Sequence, residues 1–123
     1  MDKDTRLLRH VHPSWVQNDR PSSRVFLPTA KDYSQLSVYD NSLISLDDSI
    51  NHYQTILGNK SFGVLAVDVK ECIDLDLEPR SDPEPFPEHV IIDFSNVGSK
   101  NQIKNKSKRL RDAALVRGWL AKT

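Results

Sequence analysis

"SLDDSINHYQTILGN" at residues 45–59 runs directly into "FGVLAVDV" at residues 62–69, and this junction decides the fold. Ser45 is placed to cap a helix, Asp47 and Asp48 sit in its first turn where carboxylates favour the helix dipole, and Leu46, Ile50, Tyr53 and Leu57 recur at three- to four-residue spacing. Gly58 supplies the left-handed stop. The eight residues that follow are apolar at almost every position, as in a strand buried on both faces at the middle of a sheet.

Outward from that unit the pattern changes. Upstream, "RLLRHVH" (6–12) ends at Pro13 and reads as a strand, "QNDRPSS" (17–23) has turn composition, "RVFL" (24–27) before Pro28 reads as a short strand, and "LSVY" (36–39) as another, closed by Asp40 and Asn41. Downstream, prolines 79, 83, 85 and 87 make 72–88 an extended acidic connection that no central strand can occupy. "HVIIDF" (89–94) is strand-like, "SNVGS" turns, and Ser99 with Gln102 opens a final helix over about 100–117, ended by Gly118, with Trp119 and Leu120 packing back on the body. With only one strand-helix-strand unit, the order predicts an α+β fold: a small mixed, mainly antiparallel sheet of four to five strands with two helices, at about 45–57 and 100–117.

Length and composition bound what such a chain does. The 123 residues suit a single compact domain with a core that needs no disulfide or metal. No apolar run approaches the roughly 20 residues of a membrane-spanning helix. The N-terminus has no apolar core of a signal peptide, and the one cysteine, Cys72, cannot form an internal disulfide, which together point to a cytoplasmic protein. Net charge is zero, yet residues 68–93 hold nine acids against two bases and residues 100–123 eight bases against one acid. The two segments therefore oppose each other at −7 and +7.

Several chemistries are excluded or opened by residue type. No glycine-rich phosphate loop and no G-x-S-x-G elbow occurs among only four glycines. Cys72, among carboxylates in "DVKECIDLD", reads as a buried structural thiol, because neighbouring negative charge disfavours the thiolate. His10 and His12 lie two apart, so on one strand face they could project together as metal ligands completed by His89 or Asp68, as a base in a pocket, or as scaffold. Neither a metal nor a cofactor is assigned. Polar groups at Ser22, Ser23, Lys31, Asp32, Ser37 and Tyr39 are dense between apolar anchors, the setting in which sites sit on a strand scaffold. Trp15 and Trp119 read as packing anchors.

"LRHVHPSWVQNDRPSSRVFLPTAKDYSQLSVYD", "DPEPFPEHVIIDFS" and "KNKSKRLRDAALVRGW" together resemble a group of small uncharacterised bacterial proteins sharing the HVHP, LSV, P-x-H and basic-helix order. The resemblance spans nearly the whole chain and implies no activity. A looser likeness is to compact ADP-ribosyltransferase-type folds. By order, it would align His10 or His12, then Ser37 and Tyr39 before the helix, then Glu88 or His89.

Two functions are expected from these features. The first is a macromolecule-binding module, for a protein partner, a larger assembly or nucleic acid, in which Lys104, Lys108, Arg109 and Arg111 form a basic helix face opposite the acidic segment. The second is a small enzyme acting on a nucleotide or nucleic acid, ADP-ribosyltransferase-like or hydrolytic, with His10, His12, Ser37, Tyr39 and His89 around one pocket.

Overall fold

The computed structural model describes residues 1–28 and 34–123; Lys31 and Asp32 lie outside the described residues. Six strands build the main sheet: β1 (Arg6–Val11), β4 (Gln35–Asp40), β5 (Gly63–Asp68), β6 (Glu78–Ser81), β7 (His89–Asp93) and β8 (Ala121–Lys122). Their order is β6-β7-β4-β1-β5-β8, and every neighbouring pair is antiparallel. A separate two-stranded hairpin pairs β2 (Val16–Gln17) with β3 (Arg20–Pro21) across Asn18 and Asp19, both at positive φ as a two-residue hairpin turn requires. The fold is α+β and mainly antiparallel, with more strands than the four to five expected.

Helices account for the rest. α1 (Leu46–Asn51) is capped by Ser45, whose side chain accepts the Asp48 N–H, and it passes without a break into a π-helical turn at His52–Ile56 that Gly58 ends at φ 69°. α2 (Val69–Ile73) is a third helix, which the sequence pattern does not disclose; Glu71 Oε1 accepts the Asp68 N–H at 2.7 Å as it starts. α3 (Lys100–Arg117) is capped by Ser99 and closed by Gly118 at φ 83°.

Two segments depart from expectation for physical reasons. "RVFL" is no strand: Ser22 accepts the Arg24 N–H and starts a 3₁₀ helix at Ser23–Phe26. Val25 and Phe26 are both fully buried, which neighbours in an extended strand could not achieve toward one core. The acidic segment is not all connection, since Glu78–Ser81 pairs with β7. It does so at the sheet edge, where Pro79 needs no partner for the N–H it lacks.

The sheet separates two layers. On one face Leu7, Val11, Leu36, Val38, Leu65, Val67, Val90 and Ile92 pack against Phe26, Leu110 and Ala114, all buried. Each such side chain contributes on the order of 1.5–3 kcal/mol by leaving water. On the other face Leu8, Tyr39, Val64 and Ala66 pack under Ile44, Leu46, Ile50, Tyr53 and Phe86. At the sheet's far side a Cβ on Gly63 would meet Ala121 O at 2.5 Å, so only glycine lets β8 lie there with Trp119 beside it. Among the described residues no helix is long and apolar enough to cross a membrane.

Candidate active site

Strand alternation builds the site. On β4, Ser37 and Tyr39 point away from the Leu36 and Val38 core, and register sets Tyr39 opposite Leu8 on one side and His89 on the other. His10, two residues past Leu8, shares that face, and Ser37 lies diagonally from His89 across the β4–β7 pair, within reach of a long side chain. These four side chains line one cavity of about 390 Å³. Its remaining walls come from Leu8, Arg9, Val38, Tyr53, Leu57, Asn59, Pro85 and Phe86.

Ser37, His89 and Asp82 form a hydrogen-bonded chain. Ser37 Oγ lies 3.0 Å from His89 Nε2, and His89 Nδ1 lies 3.0 Å from Asp82 O and 3.2 Å from Asp82 Oδ2. Both Asp82 atoms are acceptors, so in the neutral ring Nδ1 carries the proton, Nε2 is the lone pair, and the Ser37 hydroxyl donates to it. His89 is 7% exposed while Ser37 is exposed at the cavity wall. A hydroxyl facing open space, an imidazole acceptor behind it and a carboxylate that fixes the tautomer are the parts of an activated serine nucleophile.

Arg9 ties β1 to β4. The β1–β4 ladder holds only the pairs Leu7↔Asp40 and Leu8↔Tyr39, and beyond them Arg9 bridges the two strands by donating from Nη1 to Ser37 O at 2.9 Å. Its Nε donates to Val25 O at 2.8 Å, and its guanidinium lies 5.3 Å from the centroid of the Trp15 ring. The guanidinium is thus held by the Ser37 and Val25 main-chain carbonyls.

His10 sits deeper, 2% exposed, stacked on Tyr53 at 4.4 Å and edge-on to Tyr39 at 5.1 Å. Ser49 gives its proton to Leu46 O at 2.7 Å, so His10 Nε2 is the donor in the 3.2 Å contact with Ser49 Oγ. His10 Nδ1 is left as a buried acceptor with no partner among the described residues. Burial, reinforced by the Arg9 charge and by His52, lowers the His10 pKa to about 4, so the ring is neutral at neutral pH. Tyr39 donates to His52 Nδ1 at 2.7 Å, and burial first, then nearby Tyr53 and Glu88, holds its phenol well above the usual range.

Phe86 lies over this group. Its ring centroid is 5.0 Å from Tyr39, 4.5 Å from His52 and 5.0 Å from His89.

His12 is the sequence candidate that lies outside this cavity. Pro13 ends the strand, so His12 instead caps a 3₁₀ turn at Pro13–Trp15, its Nδ1 accepting the Ser14 N–H at 3.0 Å, and it does not line the cavity. The two histidines therefore do not project together, and among the described residues no three His, Cys, Asp or Glu side chains converge to hold a metal. Residues that sequence reasoning passes over include Asp82 and Phe86, hidden in what reads as an exposed proline-rich connection, and Tyr53, which fits a helix's core stripe. An aromatic set among prolines just before a strand, as in "PEPFPEH", is the available signal.

On the opposite layer, Lys104, Lys108 and Arg109 are exposed on α3 and make no ion pair among the described residues. Arg111 is half-buried and turned to its neighbour Asp112 at 2.9 Å. Contact between the acidic and basic segments is narrow: Arg117 pairs with Asp68 at 3.2 Å and Glu71 at 3.1 Å, and Lys106 donates to Leu75 O.

No protein-family model, curated protein or solved structure matches this chain.

Proposed function

We propose that the protein is a small hydrolytic enzyme that cleaves esters through Ser37. The observation that carries this reading is the Ser37–His89–Asp82 chain opening onto a 390 Å³ cavity. Ser37 Oγ attacks the carbonyl carbon as its proton passes to His89 Nε2, and that proton then goes to the departing alkoxide. Water, deprotonated by the same nitrogen, attacks the acyl-serine and releases the acid and the free hydroxyl. Ser37 sits within a strand rather than on a strand-to-helix elbow, so it is reached from the sheet face. The predominantly apolar lining favours a neutral acyl group over a phosphate.

The test is turnover of a panel of small esters, with labelling by a fluorophosphonate that loses fluoride to an activated serine. We expect a label on Ser37 and a loss of roughly 10³-fold or more in kcat/KM for Ser37→Ala and for His89→Gln. Wild-type protein that turns over no ester and takes no label would end the proposal.

A second reading is favoured by one separate observation, the exposed Lys104, Lys108 and Arg109 of α3, without ion pairs among the described residues in a chain that carries so many acids. It is the binding of a macromolecule with a negative surface, nucleic acid or an acidic protein partner, in a cytoplasmic setting. For nucleic acid, affinity should fall steeply between low and moderate salt, and reversing the three residues to Glu should abolish it. Unchanged binding in the reversed variant would remove α3 as the contact.

A further inference from the structure

The cavity's walls narrow the choice of ester. Tyr53 reaches it from the π-helical turn and Phe86 from the loop between β6 and β7, while Tyr39 and His10 supply the floor. Each of these rings is already held by another: Tyr53 against His10 at 4.4 Å and an interplanar angle of 11°, Phe86 against Tyr39 at 5.0 Å and 29°. Phe86 is further fixed by prolines on both sides, Pro85 and Pro87, whose φ angles are set by their rings. Among the described residues the lining contains no acidic side chain. Its volume lies near the small end of ligand pockets, which run from about 300 to 1,000 Å³, and so suits a molecule of one or two rings.

From these features we infer that the substrates are aromatic esters, a planar ring adjoining the scissile bond and lying against Tyr53 and Phe86 while the carbonyl meets Ser37. The inference rests on the hydrolytic reading of Ser37. The ring could belong to the acyl part or to the alcohol, and both present the same flat face. Hydrophobic burial by itself would favour a saturated ring, which has more apolar surface; only ring-on-ring contact reverses that order. The size of a favourable aromatic contact beyond simple burial corresponds to roughly two- to tenfold in affinity.

The experiment measures dissociation constants by chemical-shift titration with the Ser37→Ala protein, which binds without turnover, so intrinsic reactivity does not enter. Methyl benzoate is compared with methyl cyclohexanecarboxylate, and phenyl acetate with cyclohexyl acetate. Should Ser37→Ala fail to fold, wild-type protein is titrated with benzyl alcohol and cyclohexylmethanol, neither of which is an ester. The aromatic member of at least one pair should bind roughly two- to tenfold more tightly, and Phe86→Leu should bring the pair level. The pair with the larger ratio shows which side of the ester carries the ring. Equal binding, or tighter binding of the saturated rings, overturns the inference even where Ser37 is labelled and esters are hydrolysed. Aromatic preference in a wild-type protein that hydrolyses no ester removes the hydrolytic reading and leaves a site for aromatic ligands.

Discussion

The same strands present two unlike faces. Toward α3 the strand side chains Leu7, Val11, Leu36, Val38, Leu65, Val67, Val90 and Ile92 are aliphatic and buried, while Arg9, which shares their parity, donates to Val25 O at 2.8 Å. Toward α1 and the proline-rich loop, the alternate residues of the same strands are histidine, tyrosine and serine, joined by hydrogen bonds of 2.7–3.2 Å around an open cavity. Because strand periodicity is two, one backbone carries both sets without either disturbing the other's spacing. Stability and chemistry are thus divided by face rather than by segment. A residue's parity along its strand says more about its role than its neighbours in sequence do.

The sharpest way to break this division is a cavity in the aliphatic layer. Phe26→Ala should cost about 3–5 kcal/mol in chemical denaturation, since its ring is fully buried between the sheet and α3. Ser37→Ala, exposed on the other face, should leave the unfolding midpoint within the change typical of a surface site, about 0.5 kcal/mol. Comparable losses for both would refute the division.

A smaller effect concerns His10, a deeply buried group of the polar face whose proton uptake opposes the fold. Its pKa is about 4 in the folded protein against 6.5 for a free histidine, so the unfolded chain binds the proton more readily between those values. The stability it contributes is complete above about pH 6.5 and is lost as pH falls toward 4, by about 3 kcal/mol in all. Denaturation curves at intervals from about pH 7 to pH 4 should show this slope, and His10→Gln should flatten it. A slope unchanged in that variant would place the titration elsewhere.

The smallest expected effect is none. Cys72 is fully buried beneath the sheet, and burial, with Glu71 and Asp68 nearby, pushes its thiol up to about 12. A thiol reagent should leave the native protein unmodified at about pH 8 and react only on unfolding; rapid native labelling would mean that the aliphatic layer opens.

Much of the fold is legible in the amino-acid sequence alone. Gly58 and Gly118 end their helices as their positions suggest, Ser45 and Ser99 cap, and the strands at 6–11, 35–40, 63–68 and 89–93 follow apolar periodicity within two residues of the expected bounds. The antiparallel order is expected from the single strand-helix-strand unit legible in the sequence; the chain in fact has α1, α2 and α3 each between two strands, and the neighbouring strands still run antiparallel. "RVFL" misleads because four apolar-rich residues before a proline fit a strand or a 3₁₀ turn equally, and the deciding contact is the Ser22 cap. Of the site, His10, Ser37, Tyr39 and His89 do share one cavity, since their strand parities agree. His12 falls outside it because Pro13 breaks that parity by a single residue. Asp82 is invisible to periodicity: it reaches His89 through a turn seven residues away, in a segment whose prolines hide any pattern.

The π-helical turn has a consequence of a different kind. Such a turn, with Leu57 N–H donating to His52 O five residues back, is what one inserted residue makes of an α-helix. Removing a residue between 52 and 56 would restore ordinary winding, because the wide turn takes up the extra residue and leaves its flanks in register. Only side chains within the turn, Tyr53 of the cavity wall among them, would be re-aimed, while α1 and the aliphatic layer keep their places. A one-residue difference in length in this turn would thus separate chains that keep this cavity wall from chains that keep only the fold.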